Sequence, residues 1–175
     1  MAGSAESIDD LLGQEFLTWL WCKSDLAPDG FVDTRGEHFS VSMEQRIVVA
    51  GGNGDARETA SVSGVFSPLS EARFGLGMGK KVVRALIHLE KDGAGYQCVL
   101  KAQDFCLSSL RTPKIEKSES ADDDPDALLL EKIDLIENCL ELLDALFKSF
   151  LDVRLSEAWA EEVLMVRQWL NKTAG

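Results

Sequence analysis

Lys80-Lys-Val-Val-Arg-Ala-Leu-Ile-His-Leu-Glu90, followed by Lys91-Asp-Gly-Ala-Gly95 and Tyr96-Gln-Cys-Val-Leu-Lys-Ala102, is the stretch whose reading decides the fold. Val83, Ala85, Ile87 and Leu89 alternate with Arg84, Leu86 and His88, the two-residue period of a strand with one buried and one mixed face. The glycines of the connection permit positive φ, and a loop this short joins antiparallel neighbours. Strands over Lys80–Glu90 and Tyr96–Ala102 are therefore expected to form a central hairpin.

Upstream of the hairpin, turn signals divide the chain into further short strands, at Phe31–Asp33, His38–Met43, Arg46–Ala50 and Arg57–Phe66. Thr34-Arg-Gly-Glu37 and Gly51-Gly-Asn-Gly-Asp55 are the expected hairpin turns. The second is rich in glycine, but it joins two strands and aims no helix N-terminus at an anion. Before them, Ser7 and the acids Asp9 and Asp10 open a helix that runs to about Lys23. Leu12, Phe16, Trp19 and Leu20 form one stripe on it, widened by Leu17 and Trp21, a pattern of core anchors.

Ser67-Pro68 begins a short helix through about Leu76, which Gly75, Gly77 and Gly79 bring to an end. Gly75-Leu-Gly-Met-Gly-Lys-Lys81 imitates a nucleotide loop without being one. Phe74 occupies the first glycine position of a P-loop and Lys81 the place of its magnesium-binding hydroxyl. A dinucleotide fingerprint also fails, because the run leads into a strand. A glycine C-cap with two lysines behind it remains.

Downstream, an edge element near Phe105–Leu107 is followed from Ser108 by a polar linker, most clearly mobile over about 113–124. The acids from Asp122 to Asp126 suit a helix N-terminus and lack the spacing of a calcium loop. From Asp126 to Arg154 the pattern is continuously helical. One row holds Leu129, Ile133, Ile136, Leu140, Leu143, Phe147 and Phe150, and a second holds Leu128, Leu135, Cys139, Leu142 and Leu146. A last helix, restarting at Ser156-Glu157, places Trp159, Val163, Val166 and Leu170 on one face. The reading is an α+β chain: an N-terminal Trp-rich helix, a mainly antiparallel sheet, and a C-terminal antiparallel helical hairpin packed on it. Residues 8–172 are expected to form a single domain behind a flexible N-terminus of residues 1–7.

Length and composition bound the function. The 175 residues suffice for one domain with a substantial core, and no apolar run of about 18 residues would cross a bilayer. Cys22, Cys98, Cys106 and Cys139 lie far apart in apolar patterns, which suits buried thiols in the cytoplasm. His38 and His88, the two imidazoles, stand in no zinc spacing, and no nucleophile motif occurs. No catalytic residue, metal or cofactor is expected, and a carboxylate-metal nuclease trails the other readings.

The lead is charge segregation. Residues 70–117 carry nine Lys/Arg against five acids, inside a chain of net charge −12. Arg73, Lys80, Lys81, Arg84, Lys101, Arg111, Lys114 and Lys117 meet phosphate only if folding gathers several on one face; the alternative is a solvated sheet rim. Arg73, Lys80, Lys81 and Arg84 are the candidate nucleic-acid contacts. The surplus apolar row at Leu128, Leu135, Leu142 and Leu146 is the candidate surface for a partner protein or a second copy.

Three blocks carry a resemblance: Leu12-Gly-Gln-Glu-Phe-Leu-Thr-Trp-Leu-Trp-Cys-Lys-Ser-Asp25, Gly79-Lys-Lys-Val82, and Leu142-Leu-Asp-Ala-Leu-Phe147 with Arg154-Leu-Ser156. Together they resemble the C-terminal part of longer bacterial proteins grouped with the recombination-associated RdgC family. That resemblance implies a non-enzymatic, DNA-associated role in recombination or replication, in an appended or freestanding module without the family's ring-forming portion. The rival reading is a protein-interaction or homodimerisation module that makes no nucleic-acid contact.

Overall fold

A computed structural model of the chain describes residues 8–51, 58–63, 68–115 and 124–172. Helix α1 (Ile8–Leu26) leads into strands β1 (Phe31–Val32), β2 (His38–Gly51) and β3 (Glu58–Ser63). Helix α2 (Pro68–Gly77) precedes β4 (Lys81–Lys91), β5 (Ala94–Lys101) and β6 (Leu107–Arg111), and α3 (Pro125–Arg154) and α4 (Trp159–Asn171) close the order. Every strand pairing is antiparallel, in the order β1-β2-β4-β5-β6, with β3 on the β1 side of β2. This is the expected α+β architecture. The Ser7 and Ser67 caps, residues 1–7, most of the Gly51–Asp55 loop and residues 116–123 of the linker lie outside the described residues.

Several boundaries differ from expectation for local reasons. The central hairpin turns on two residues instead of five. Asp92 and Gly93 both hold positive φ, 52° and 78°, the type I′ geometry that matches strand twist, so pairing extends to Lys91 and Ala94. His38–Met43 and Arg46–Ala50 are one 14-residue strand, because the irregularity between Met43 and Ile47 is absorbed within the β2–β4 ladder without ending it. Ser108–Arg111, expected in the linker, form the edge strand β6 against β5. The chain reaches it through Phe105 at φ 52°, with the Asp104 carboxylate accepting from the Cys106 amide at 3.0 Å.

One face of the sheet is covered. Phe39, Val41, Ile47, Val49, Val82, Ala85, Ile87, Leu89, Tyr96, Cys98 and Leu100 pack there beneath α1, α2 and α3. Six of the seven α1 residues from Phe16 to Cys22, all but Thr18, are at most 3% exposed, so the helix is covered by the sheet below and by α3 and α4 above. At about 1.5–3 kcal/mol for each fully buried large side chain, that segment is a principal source of stability. Phe150 stacks obliquely on Phe16 and Trp19 and meets Trp159 edge-on at 5.8 Å, which packs α3 and α4 together over α1.

Gly13 explains how closely α1 approaches the sheet. A Cβ there would stand 1.9 Å from the Ala102 carbonyl oxygen, which is backbone and unable to yield. Glycine in a helix ordinarily costs about 1 kcal/mol relative to alanine, so close approach outweighs propensity here. Gly13→Ala is expected to destabilise the fold by about 1–3 kcal/mol instead of stabilising α1, read as a lowered urea midpoint.

The β1–β2 turn is closed by charge. Asp33 accepts from the amides of Arg35 and Glu37 at 2.8 and 2.9 Å, and Lys91 donates to Asp33 and Glu37 at 2.6 and 2.5 Å. The Lys91 ammonium, with the two amides, holds the Asp33 carboxyl at about 2 against an ordinary 3.8. A depressed folded value stabilises fully above pH 3.8, and that contribution is lost as pH falls toward 2. Denaturant midpoints measured stepwise from pH 5 to pH 2 should decline less for Asp33→Asn than for the native chain.

Candidate nucleic-acid interface

No described element covers the second face of the sheet. Lys81, Arg84, Leu86, His88 and Glu90 of β4 point there, with Gln97, Val99 and Lys101 of β5. Arg84 is paired directly with Lys101, and Gln97 with Arg111 of β6. Lys81, Arg84, Lys101 and Arg111 are all exposed. Among the described residues none of the four has an ion-pair partner, and Glu90, at the hairpin end, is the one acid among the described side chains of β4 and β5 on this face.

Two bulges put half of these cations where they are. In β4, Val48 pairs with Arg84 and Val49 with Val82, so Val83 is an extra residue. Val82, not Val83, takes the buried position, a departure from the expected alternation, and Lys81 is turned outward. The Val83 carbonyl instead accepts from the Ala102 amide at 2.9 Å. In β6, Ser108 pairs with Val99 and Arg111 with Gln97, so β6 spends three steps where β5 spends two. Ser109 supplies the irregularity at φ 53°, which leaves Leu110 packed on the core and Arg111 on the open face.

Like charges directly across a strand pair repel, and the Arg84–Lys101 pair stands within about 5 Å at its Cβ atoms. Lys81 and Arg111 extend the cationic area along β4 and across to β6. An anion is the group that turns this repulsion into attraction. The face presents no Phe, Tyr or Trp among its described side chains, so it offers charge to a backbone and no platform for stacking bases.

Of the four cations singled out from sequence, Lys81 and Arg84 lie on this face. Lys80 is turned to the covered side, partly buried, with its chain alongside Gly75 of α2, and its amide closes the α2 C-cap by donating to the Gly75 carbonyl at 3.0 Å. Arg73 does not belong to the site. It sits among the helices on the covered side, its guanidinium 5.5 Å from the Trp21 ring and 4.5 Å from the Trp169 ring, paired with Asp25. Asp25 also accepts from the Trp169 indole at 3.1 Å. Burial lowers the Arg73 pKa from its ordinary value. Lys101 and Arg111 complete the face in its place; Lys114 is exposed beyond β6, and Lys117 lies outside the described residues.

The partner row divides in the same way. Leu142 and Leu146 are in the core at 4% and 1% exposure, Leu135 packs partly against it, and Leu128 is half-buried. Leu142 and Leu146 are thus unavailable to a partner, because α3 turns this row onto the body of the protein. The surface left open is the N-terminal part of the other row, at Leu129, Ile133 and Leu140, with Leu130 beside it, while Leu143, Phe147 and Phe150 of that row pack on the body as well.

Other reactive groups are placed for structure. Burial pushes the Cys22 thiol up to about 11, and the hydrogen bond to Cys139, then burial, push Cys98 up as well. Among the described residues no His, Cys, Asp or Glu cluster is arranged to hold a metal ion, and no helix is long and apolar enough to cross a membrane. No family model, curated protein or solved structure matches the chain.

Arg73 and Arg84 should therefore separate in mutagenesis. Arg73→Ala is expected to cost about 1–3 kcal/mol of stability by leaving Asp25 without its cation, while Arg84→Ala leaves the urea midpoint unchanged or slightly raised. Equilibrium unfolding of the two variants checks the contrast.

Proposed function

We propose that the protein is a non-enzymatic, cytoplasmic accessory module of DNA metabolism that holds a phosphate backbone on the open face of its sheet. The observation that carries the reading is the direct pairing of Arg84 with Lys101, flanked by Lys81 and Arg111 on one uncovered surface. Without aromatic side chains the contact is made to phosphates and is indifferent to base sequence. The chain's charge of −12 keeps all other surfaces off the polyanion, so binding is confined to this face. The resemblance of Leu12–Asp25, Gly79–Val82 and Leu142–Phe147 to the RdgC family supports a setting in recombination or replication.

Contacts of this kind release counterions. Four phosphate contacts correspond to a slope of about −3.6 in log K against log salt on duplex DNA. Anisotropy titrations of a labelled duplex at stepped salt should give a slope near that value, reduced by about 0.9 for each of Lys81→Ala, Arg84→Ala, Lys101→Ala and Arg111→Ala, and unchanged by Arg73→Ala in folded protein. Absence of binding at low ionic strength would reject the reading.

A further inference from the structure

The first half of α3 carries a face that nothing described covers. Leu129, Leu130, Ile133 and Leu140 are 57%, 62%, 40% and 41% exposed. Leu129, Ile133 and Leu140 recur at helical spacing on one stripe. Along one side of that stripe stand the exposed acids Asp126, Asp134, Glu137 and Glu141, and Lys132 is the one basic residue between Pro125 and Phe147. A surface of this composition is satisfied by a partner that is apolar at its centre and cationic around it.

The open sheet face of the same chain has that character. Val48, Leu86 and Val99 are partly exposed on adjacent strands, and Lys81, Arg84, Lys101 and Arg111 surround them. The dimensions also agree. Leu129 to Leu140 span about 17 Å of helix at 1.5 Å per residue, and β5 spans about 23 Å at 3.3 Å per residue. Within one copy the two surfaces cannot meet, because Cys139 holds α3 against Cys98 on the covered side of the sheet.

We infer that the acidic-apolar face of α3 docks on the open sheet face of a second copy of this chain. The contact joins two different surfaces, so it propagates from copy to copy or closes into a ring when the rotation allows. It uses the cations of the proposed phosphate site but does not depend on that reading. The helix presents carboxylates to the cations to which phosphate would bind, so self-association and polyanion binding exclude one another.

Light scattering on the full chain eluting from a sizing column, in the absence of nucleic acid, tests this. At about 50 mM salt the native chain should show a mass that rises with concentration and returns to the monomer near 0.5 M salt. Asp134→Lys/Glu137→Lys on the helix and Arg84→Glu/Lys101→Glu on the sheet should each be monomeric at low salt, and an equimolar mixture of the two should associate again. All four sheet and helix positions are exposed, and circular dichroism confirms that the variants fold. A native chain that stays monomeric at low salt overturns the inference. So does an oligomer that survives the sheet reversal, which would mean another surface, or a mixture that fails to associate. DNA titration is a separate measurement, so failure of the phosphate reading leaves this result standing and the reverse also holds.

Discussion

The central turns of α1 have almost no solvent side, and the other elements are arranged around that fact. Phe16, Leu17, Trp19, Leu20, Trp21 and Cys22 include both the residues that face the sheet and those that face away from it. A helix apolar nearly all round is stable in water only when enclosed. The sheet covers it from one side, and α3 and α4 from the other. Because α1, α2 and α3 all gather on that side, the opposite face of the sheet is left without cover from any described element.

The indoles of Trp19 and Trp169 and the guanidiniums of Arg73 and Arg154 are held among these helices by acids from both ends of the chain. Glu162 of α4 accepts from the Trp19 indole at 2.8 Å and from Lys23 at 3.0 Å. Asp25 does the same for Trp169 and Arg73. Glu15 accepts from Arg154 at 2.7 Å, with the guanidinium 5.0 Å from the Trp159 ring. These contacts orient α4 against α1 and at the same time consume cations on the covered side. On the strands of the open face, Lys81, Arg84, Lys101 and Arg111 have no acid partner among the described residues.

Periodicity disclosed the elements, and geometry that one-dimensional patterns do not contain distributed their side chains. The rows of α3, the Trp-rich stripe of α1 and the alternation in β4 were legible, and they led to the right fold class. The bulges at Val83 and Ser109 were not, because neither residue differs in type from an ordinary strand residue. Arg73 was misplaced for a related reason. Its proximity in sequence to Lys80 and Lys81 suggested one patch, whereas α2 lies on the face of the sheet opposite the exposed cations. Likewise the two apolar rows of α3 were visible, but which of their residues the body covers depends on the rotation of the helix and on where along it the other helices reach: Leu143 and Phe150 of one row are buried with Leu142 and Leu146 of the other, while Leu129, Ile133 and Leu140 stay exposed.

Those two irregular positions have an implication for how such a surface arises. In a regular pleat Lys81 would point into the core and Arg111 toward the covered side; one additional residue in each strand reverses both. Half of the charged surface on this scaffold is therefore gained or lost one cation at a time, by insertion or deletion of a single codon in β4 or in β6, with every lysine and arginine codon intact. Ancestry in this architecture can redistribute electrostatic potential through chain length alone, without any change in overall charge.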